Sequence, residues 1–134
     1  MPQIAQAAAA HFQATGALCT TSPAVPASVP MGFGYKTSPF FGMDFHAGDA
    51  ENGWNCLNFA IDGGIHCRFR YAIQQDFVGP AVGGPDPGMT GFEVSAEGDD
   101  DGDTLSSTFT IVGTLDPQTG TYTLSPLFKH NPTE

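Results

Sequence analysis

Glycine and proline set the limits on what this chain can fold into. It has seventeen glycines and eleven prolines in 134 residues, densest between residues 22 and 53 and between 79 and 91. Proline has no N–H to give to a hydrogen-bond ladder, and glycine weakens regular structure. Those two stretches read as loops. The first also carries Phe33, Phe40, Phe41 and Phe45, and the whole chain is 40% hydrophobic. Disordered linkers are poor in such residues, so the loops read as ordered by packed aromatics. Regular structure is left to residues 3–15, 55–73, 91–98, 106–115 and 121–127.

Residues 3–15 predict a helix. Ala7 to Ala10 have the highest helix propensity, and Gly16 is placed to end the element. Ile4, Ala8 and Phe12 form one apolar stripe at i, i+4 spacing. So short a helix is marginal in water alone and must dock, most simply on the face of a sheet.

Residues 55–73, NCLNFAIDGGIHCRFRYAI, predict a hairpin turning at Asp62-Gly63-Gly64. A three-residue loop with Gly64 left-handed puts Ile61 opposite Ile65, Phe59 opposite Cys67 and Leu57 opposite Phe69. A two-residue loop would set Phe59 opposite Arg68, and one slip of register flips every side chain. Residues 91–98, 106–115 and 121–127 alternate as strands. Asp116-Pro117-Gln118-Thr119-Gly120 supplies turn chemistry between the last two. The expected fold is α+β: a single domain over 1–134, with an N-terminal helix at 3–15 and a long Gly/Pro-rich loop at 17–53. An antiparallel meander of four to five strands follows over 55–127, then a tail at 128–134. One face of the sheet is expected on the core and the other in solvent.

The three cysteines, Cys19, Cys56 and Cys67, form no CxxC pair. One disulfide and one free thiol is the reading, against three buried thiols. In the hairpin register Cys67 faces the core and Cys56 the other side, so they cannot join within regular strands. Cys19 is then the expected partner of Cys67. Cys56 can still pair if it lies ahead of the first strand.

The charge is lopsided. Lys36, Arg68, Arg70 and Lys129 face fourteen acidic residues, for a net charge of −10. That excludes a nucleic-acid partner, which needs Lys and Arg to neutralise phosphates, and it disfavours an anionic membrane surface. There is no GxSxG, HExxH, Walker A or GxGxxG pattern, and an enzyme is not expected. His11, His46, His66 and His130 lie far apart in the sequence. His66 and Cys67 are adjacent, which in a strand puts them on opposite faces. The one chemical cluster is GDDDGDTLS at 98–106. Asp99, Asp101 and Asp103 stand at positions 1, 3 and 5 of a calcium-type loop. Thr104 replaces the usual Gly, and Thr110 stands where an EF-hand has Glu. The plainer reading is a solvated acidic turn.

Two stretches together resemble type IV pilin-like subunits, particularly those of myxobacteria and their relatives. The first is GWNCLNFAIDGGIHCRFRYAI, similar to that family's Trp, Leu-Gly-Phe, turn and aromatic-ended strand. Trp54, Leu57, Phe59, Asp62, Gly63, Phe69 and Tyr71 stand at those places, with Asn58 for the Gly. The second is FEVSAEGDDDGDTLSSTFTIVGTLDPQTGTY, similar to an Asp-rich turn, a Ser/Thr-Phe strand and a Pro-x-Thr-Gly hairpin. About half the chain is covered. The resemblance implies a major pilin, minor pilin or pseudopilin of an extracellular filament. Such a subunit is anchored in the inner membrane before assembly and packs against other subunits through a hydrophobic helix. The segment MPQIAQAAAAHFQATG is neither that helix nor a signal peptide, so residues 3–15 would be the tail of a longer one. The pseudopilin branch includes calcium-stabilised members, which bears on Asp99, Asp101 and Asp103. The alternative is an independent extracellular adhesion module, meeting a host or surface receptor through the rings of Phe33, Tyr35, Phe40, Phe41 and Phe45.

Overall fold

The computed structural model describes residues 1–133. In chain order it holds α1 (Pro2–Thr15), β1 (Tyr35–Lys36), α2 (Gly53–Leu57), β2 (Gly64–Ile65), β3 (Cys67–Ile73), β4 (Phe92–Gly98), β5 (Ser107–Asp116), β6 (Thr121–Leu124) and β7 (Phe128–His130). The strands β3-β4-β5-β6 run antiparallel side by side, and β7 also pairs with β5. The fold is thus α+β, with an N-terminal helix and antiparallel sheets of two and five strands. Among the described residues, no helix is long and apolar enough to cross a membrane.

Helix α1 ends as its sequence dictates. Gly16 takes φ 80, and its N–H donates to the Phe12 carbonyl at 2.7 Å. Without a Cβ, glycine adopts that left-handed turn at no steric cost. Ile4, Ala5 and Ala8 are fully buried. Phe12 meets Tyr122 edge-on with ring centres 4.9 Å apart. Tyr122 packs on Phe92, and Phe92 on Tyr71, so one run of rings crosses β6, β4 and β3. A second aromatic group lies under the long loop, where Phe45 meets Trp54 at 4.8 Å and Phe59 at 5.5 Å.

The expected 55–73 hairpin does not form. Residues 53–57 are helical, and Trp54 and Leu57, three apart, are both buried. Trp54 donates its indole N–H to the Pro23 carbonyl at 2.8 Å, and Asn58 ends the helix at φ 50. A short apolar run is equally compatible with helix and strand, and packing decided for helix. Gly64 is a β2 residue pairing with Lys36, and the positive φ falls on Gly63 instead. Strand β3 pairs with β4 in the register Phe69↔Ala96 and Tyr71↔Val94. Its other edge is closed by the long loop, with Val25 bridging Phe69 and the Ser22 N–H donating to the Tyr71 carbonyl. Covering an edge this way blocks pairing with other chains.

Two further expectations are corrected. The sheet does not stop before the tail, because β7 continues along β5 to His130. Between β6 and β7, Ser125 keeps contact with Val112 through its N–H and its hydroxyl, while Pro126 has no donor to offer. The second sheet face is also not a solvent face. Glu93, Ser95 and Thr110 are buried there. The segment after β3 folds across them, with the Val78 and Gly79 N–H groups donating to the two Glu93 carboxylate oxygens at 2.8 and 2.9 Å. Residue 79 is glycine because a Cβ there would stand 2.9 Å from that carboxylate and 3.1 Å from the Thr110 hydroxyl.

Candidate functional site

The Asp99–Asp103 turn joins β4 to β5. It brings Asp99, Asp101 and Asp103 together, one carboxylate oxygen of each lying within 4.8 Å of the others. Asp99 is buried, and its two oxygens accept from the Gly102 and Thr104 N–H groups at 2.8 and 2.9 Å. Asp101 accepts from Asp103 N–H at 3.1 Å, and Asp103 from Leu105 N–H at 2.8 Å. The alternate spacing thus serves the backbone of the turn itself, since Asp side chains bond N–H groups two or more residues on. The set offers three hard oxygen donors against the six to eight that calcium takes.

The long loop divides the aromatic residues singled out in it. Phe45 fills the core. Phe33, Phe40 and Phe41 stand 66, 71 and 89% exposed, with Met31 and Met43 also exposed. Asp44 shapes the tip of the loop. Its carboxylate accepts from the Tyr35 hydroxyl at 3.1 Å and from the Ser38 N–H at 2.7 Å, which holds Phe40, Phe41 and Met43 outward on a braced turn. The hydrogen bond to Asp44, followed by burial, pushes the Tyr35 hydroxyl pKa up. Met31 bridges Asp99 and the Gly32 N–H donates to the Asp99 carbonyl, so this loop touches the acidic turn.

The cysteines pair differently from expectation. Cys19 bonds Cys56, with Cα atoms 5.8 Å apart and a sequence separation of 37, and Cys67 is the free thiol. The physical reason is α2: once residues 53–57 coil, Cys56 no longer belongs to a strand face and turns toward α1. Cys67 sits on β3 opposite Gly98, half-buried. Burial first, and then the Asp100 charge, push its pKa up, which keeps it in the unreactive thiol form. His11 Nε2 lies 3.5 Å from Cys56 Sγ. Sequence reasoning passed over His11 because its neighbours at this spot stand 8 and 45 positions away. No local spacing carries such a signal. Compared with known proteins, the chain matches no family model, no curated protein and no solved structure.

Proposed function

We propose that this chain is the globular head of an extracellular filament subunit of the type IV pilin kind. One observation supports it above others. Helix α1 lies across an antiparallel sheet and turns outward a face of Gln3, Gln6, Ala10, Gln13 and Ala14. None of the chain's charged residues precedes Lys36. Helices carrying an uncharged face can pack on one another without desolvating a charge, which costs several kcal/mol per ion. A second feature agrees: Asn58, at the place of the family's Gly, takes the left-handed conformation that Gly favours and Asn tolerates. In this reading the subunit is exported, its disulfide forms outside the cell, and its partners are further subunits. Immunogold microscopy with antibodies to the chain tests it. Labelled surface filaments that vanish when the gene is deleted are expected, and labelling confined to the cytoplasm overturns it.

A second reading is favoured by the exposed rings. Phe40 and Phe41 project on a braced turn, as the contact residues of an adhesion module would. In that case the purified chain binds cell surfaces as a monomer, and Phe40→Ser with Phe41→Ser abolishes binding without affecting filaments.

A further inference from the structure

We propose that His11, Cys19 and Cys56 form a zinc site when the disulfide is reduced. The same three residues then have two states: a covalent staple under oxidising conditions and a metal staple under reducing ones. One ligand atom from each residue lies within 4.8 Å of the other two. Tetrahedral zinc, with bonds of about 2.3 Å to sulfur and 2.05 Å to nitrogen, sets its N and S ligands about 3.5 Å apart and two S ligands about 3.8 Å apart. The His11 Nε2 to Cys56 Sγ separation is 3.5 Å, so that edge of the tetrahedron already stands. The two sulfurs must part from bonding distance. Their Cα atoms, 5.8 Å apart, leave room for this through side-chain rotation.

The surroundings suit the ion. Cys19 is fully buried and His11 and Cys56 half-buried, so the site is shielded without being sealed. A groove of 530 Å³ lined by His11, Thr15, Leu18, Thr20 and Glu51 opens beside it, giving an entry path and a place for water as fourth ligand. Two thiolates and an imidazole select zinc over calcium or magnesium, which prefer oxygen. The three ligands come from α1, the loop after it and α2, so the metal would tie the same elements as the disulfide. The chemistry balances simply. A trialkylphosphine and one water reduce the disulfide, giving phosphine oxide and two thiols, and zinc then displaces the two thiol protons.

The test uses the whole chain carrying Cys67→Ser, which removes the unrelated thiol. After phosphine reduction without oxygen, cobalt(II) is titrated as a spectroscopic stand-in and zinc binding is read by competition with a chromophoric chelator. One ion per chain is expected, with thiolate-to-cobalt charge-transfer and tetrahedral d–d bands. The oxidised protein should show neither. Adding His11→Gln should weaken binding ~10-fold or more, as loss of a group that holds a metal does. If reduction loosens the fold, zinc should restore the near-ultraviolet circular dichroism of Trp54. A reduced protein that takes up no more metal than the oxidised one overturns the proposal. So does one that zinc fails to refold, or undiminished binding after Cys19→Ser.

Discussion

At the residue scale, the acidic side chains divide by what they are bonded to. Burial is the main force on Glu93 and raises its pKa. The N–H groups of Val78 and Gly79 pull it back, as does Arg70 to a smaller degree, while Glu97 adds a little in the raising direction. A carboxyl raised in the folded state favours the protonated fold. Its stabilising contribution is complete below the unfolded value of about 4.3 and is lost as pH rises through the higher folded value. Wild type should therefore lose stability relative to Glu93→Gln as pH climbs from 4 toward neutrality. Urea unfolding of the two proteins would show a pH-dependent gap, and a constant gap would refute the assignment. Asp99 serves as an acceptor for the turn. Asp99→Ala leaves the Gly102 and Thr104 N–H groups without their partner and should cost about 2 kcal/mol. That loss should persist with calcium chelated, because the carboxylate serves the backbone.

At the element scale, two couplings hold the layers together. The Cys19–Cys56 bond closes a loop of 37 residues, which the chain-entropy model values at about 4 kcal/mol. Reduction in zinc-free buffer should lower the urea midpoint accordingly, and an unchanged midpoint would show that the reduced chain keeps the loop closed. The other coupling is the ring run across β3, β4 and β6. Gly113 on β5 lies against the Phe92 ring, and a Cβ at that position would collide with it. Phe92 is fully buried between Tyr71 and Tyr122, so it has nowhere to move. Gly113→Ala should destabilise by about 1–3 kcal/mol, the usual cost of overpacking, in thermal or urea unfolding.

At the scale of the whole molecule, charge and exposed aromatic surface are unevenly spread. Every Asp, Glu, Lys and Arg lies from Lys36 onward, so α1 carries none of them. The loop tip shows Phe40 and Phe41 to solvent although Phe45, only a few residues on, is buried. Replacing both rings by Ser should change stability by less than about 0.5 kcal/mol, since they bury little. A larger loss in unfolding assays would mean that they pack.

Much of this architecture was legible before folding. Gly16 stops α1 because of its own backbone freedom. The alternation of Phe92, Val94 and Ala96, with the turn residues at 116–120, sets a meander through local chemistry. What local pattern does not carry is which of two competing periods wins, and what covers a face. Residues 55–57 read as strand until Trp54 and Leu57 found a common core at helical spacing. The polar face of β4 read as a solvent face until the loop between β3 and β4 folded back across it and brought two N–H groups to Glu93. The cysteine pairing followed the first of these: coiling of α2 swung Cys56 to Cys19 and to His11. Period and turn chemistry act between neighbours, so the sequence by itself determined the helix, the succession of β3 to β6 and the acidic turn. Contacts beyond immediate neighbours, from 8 to 45 positions apart here, depend on the packed whole, so only the tertiary structure decided the disulfide, the buried Glu93 and the cluster at His11.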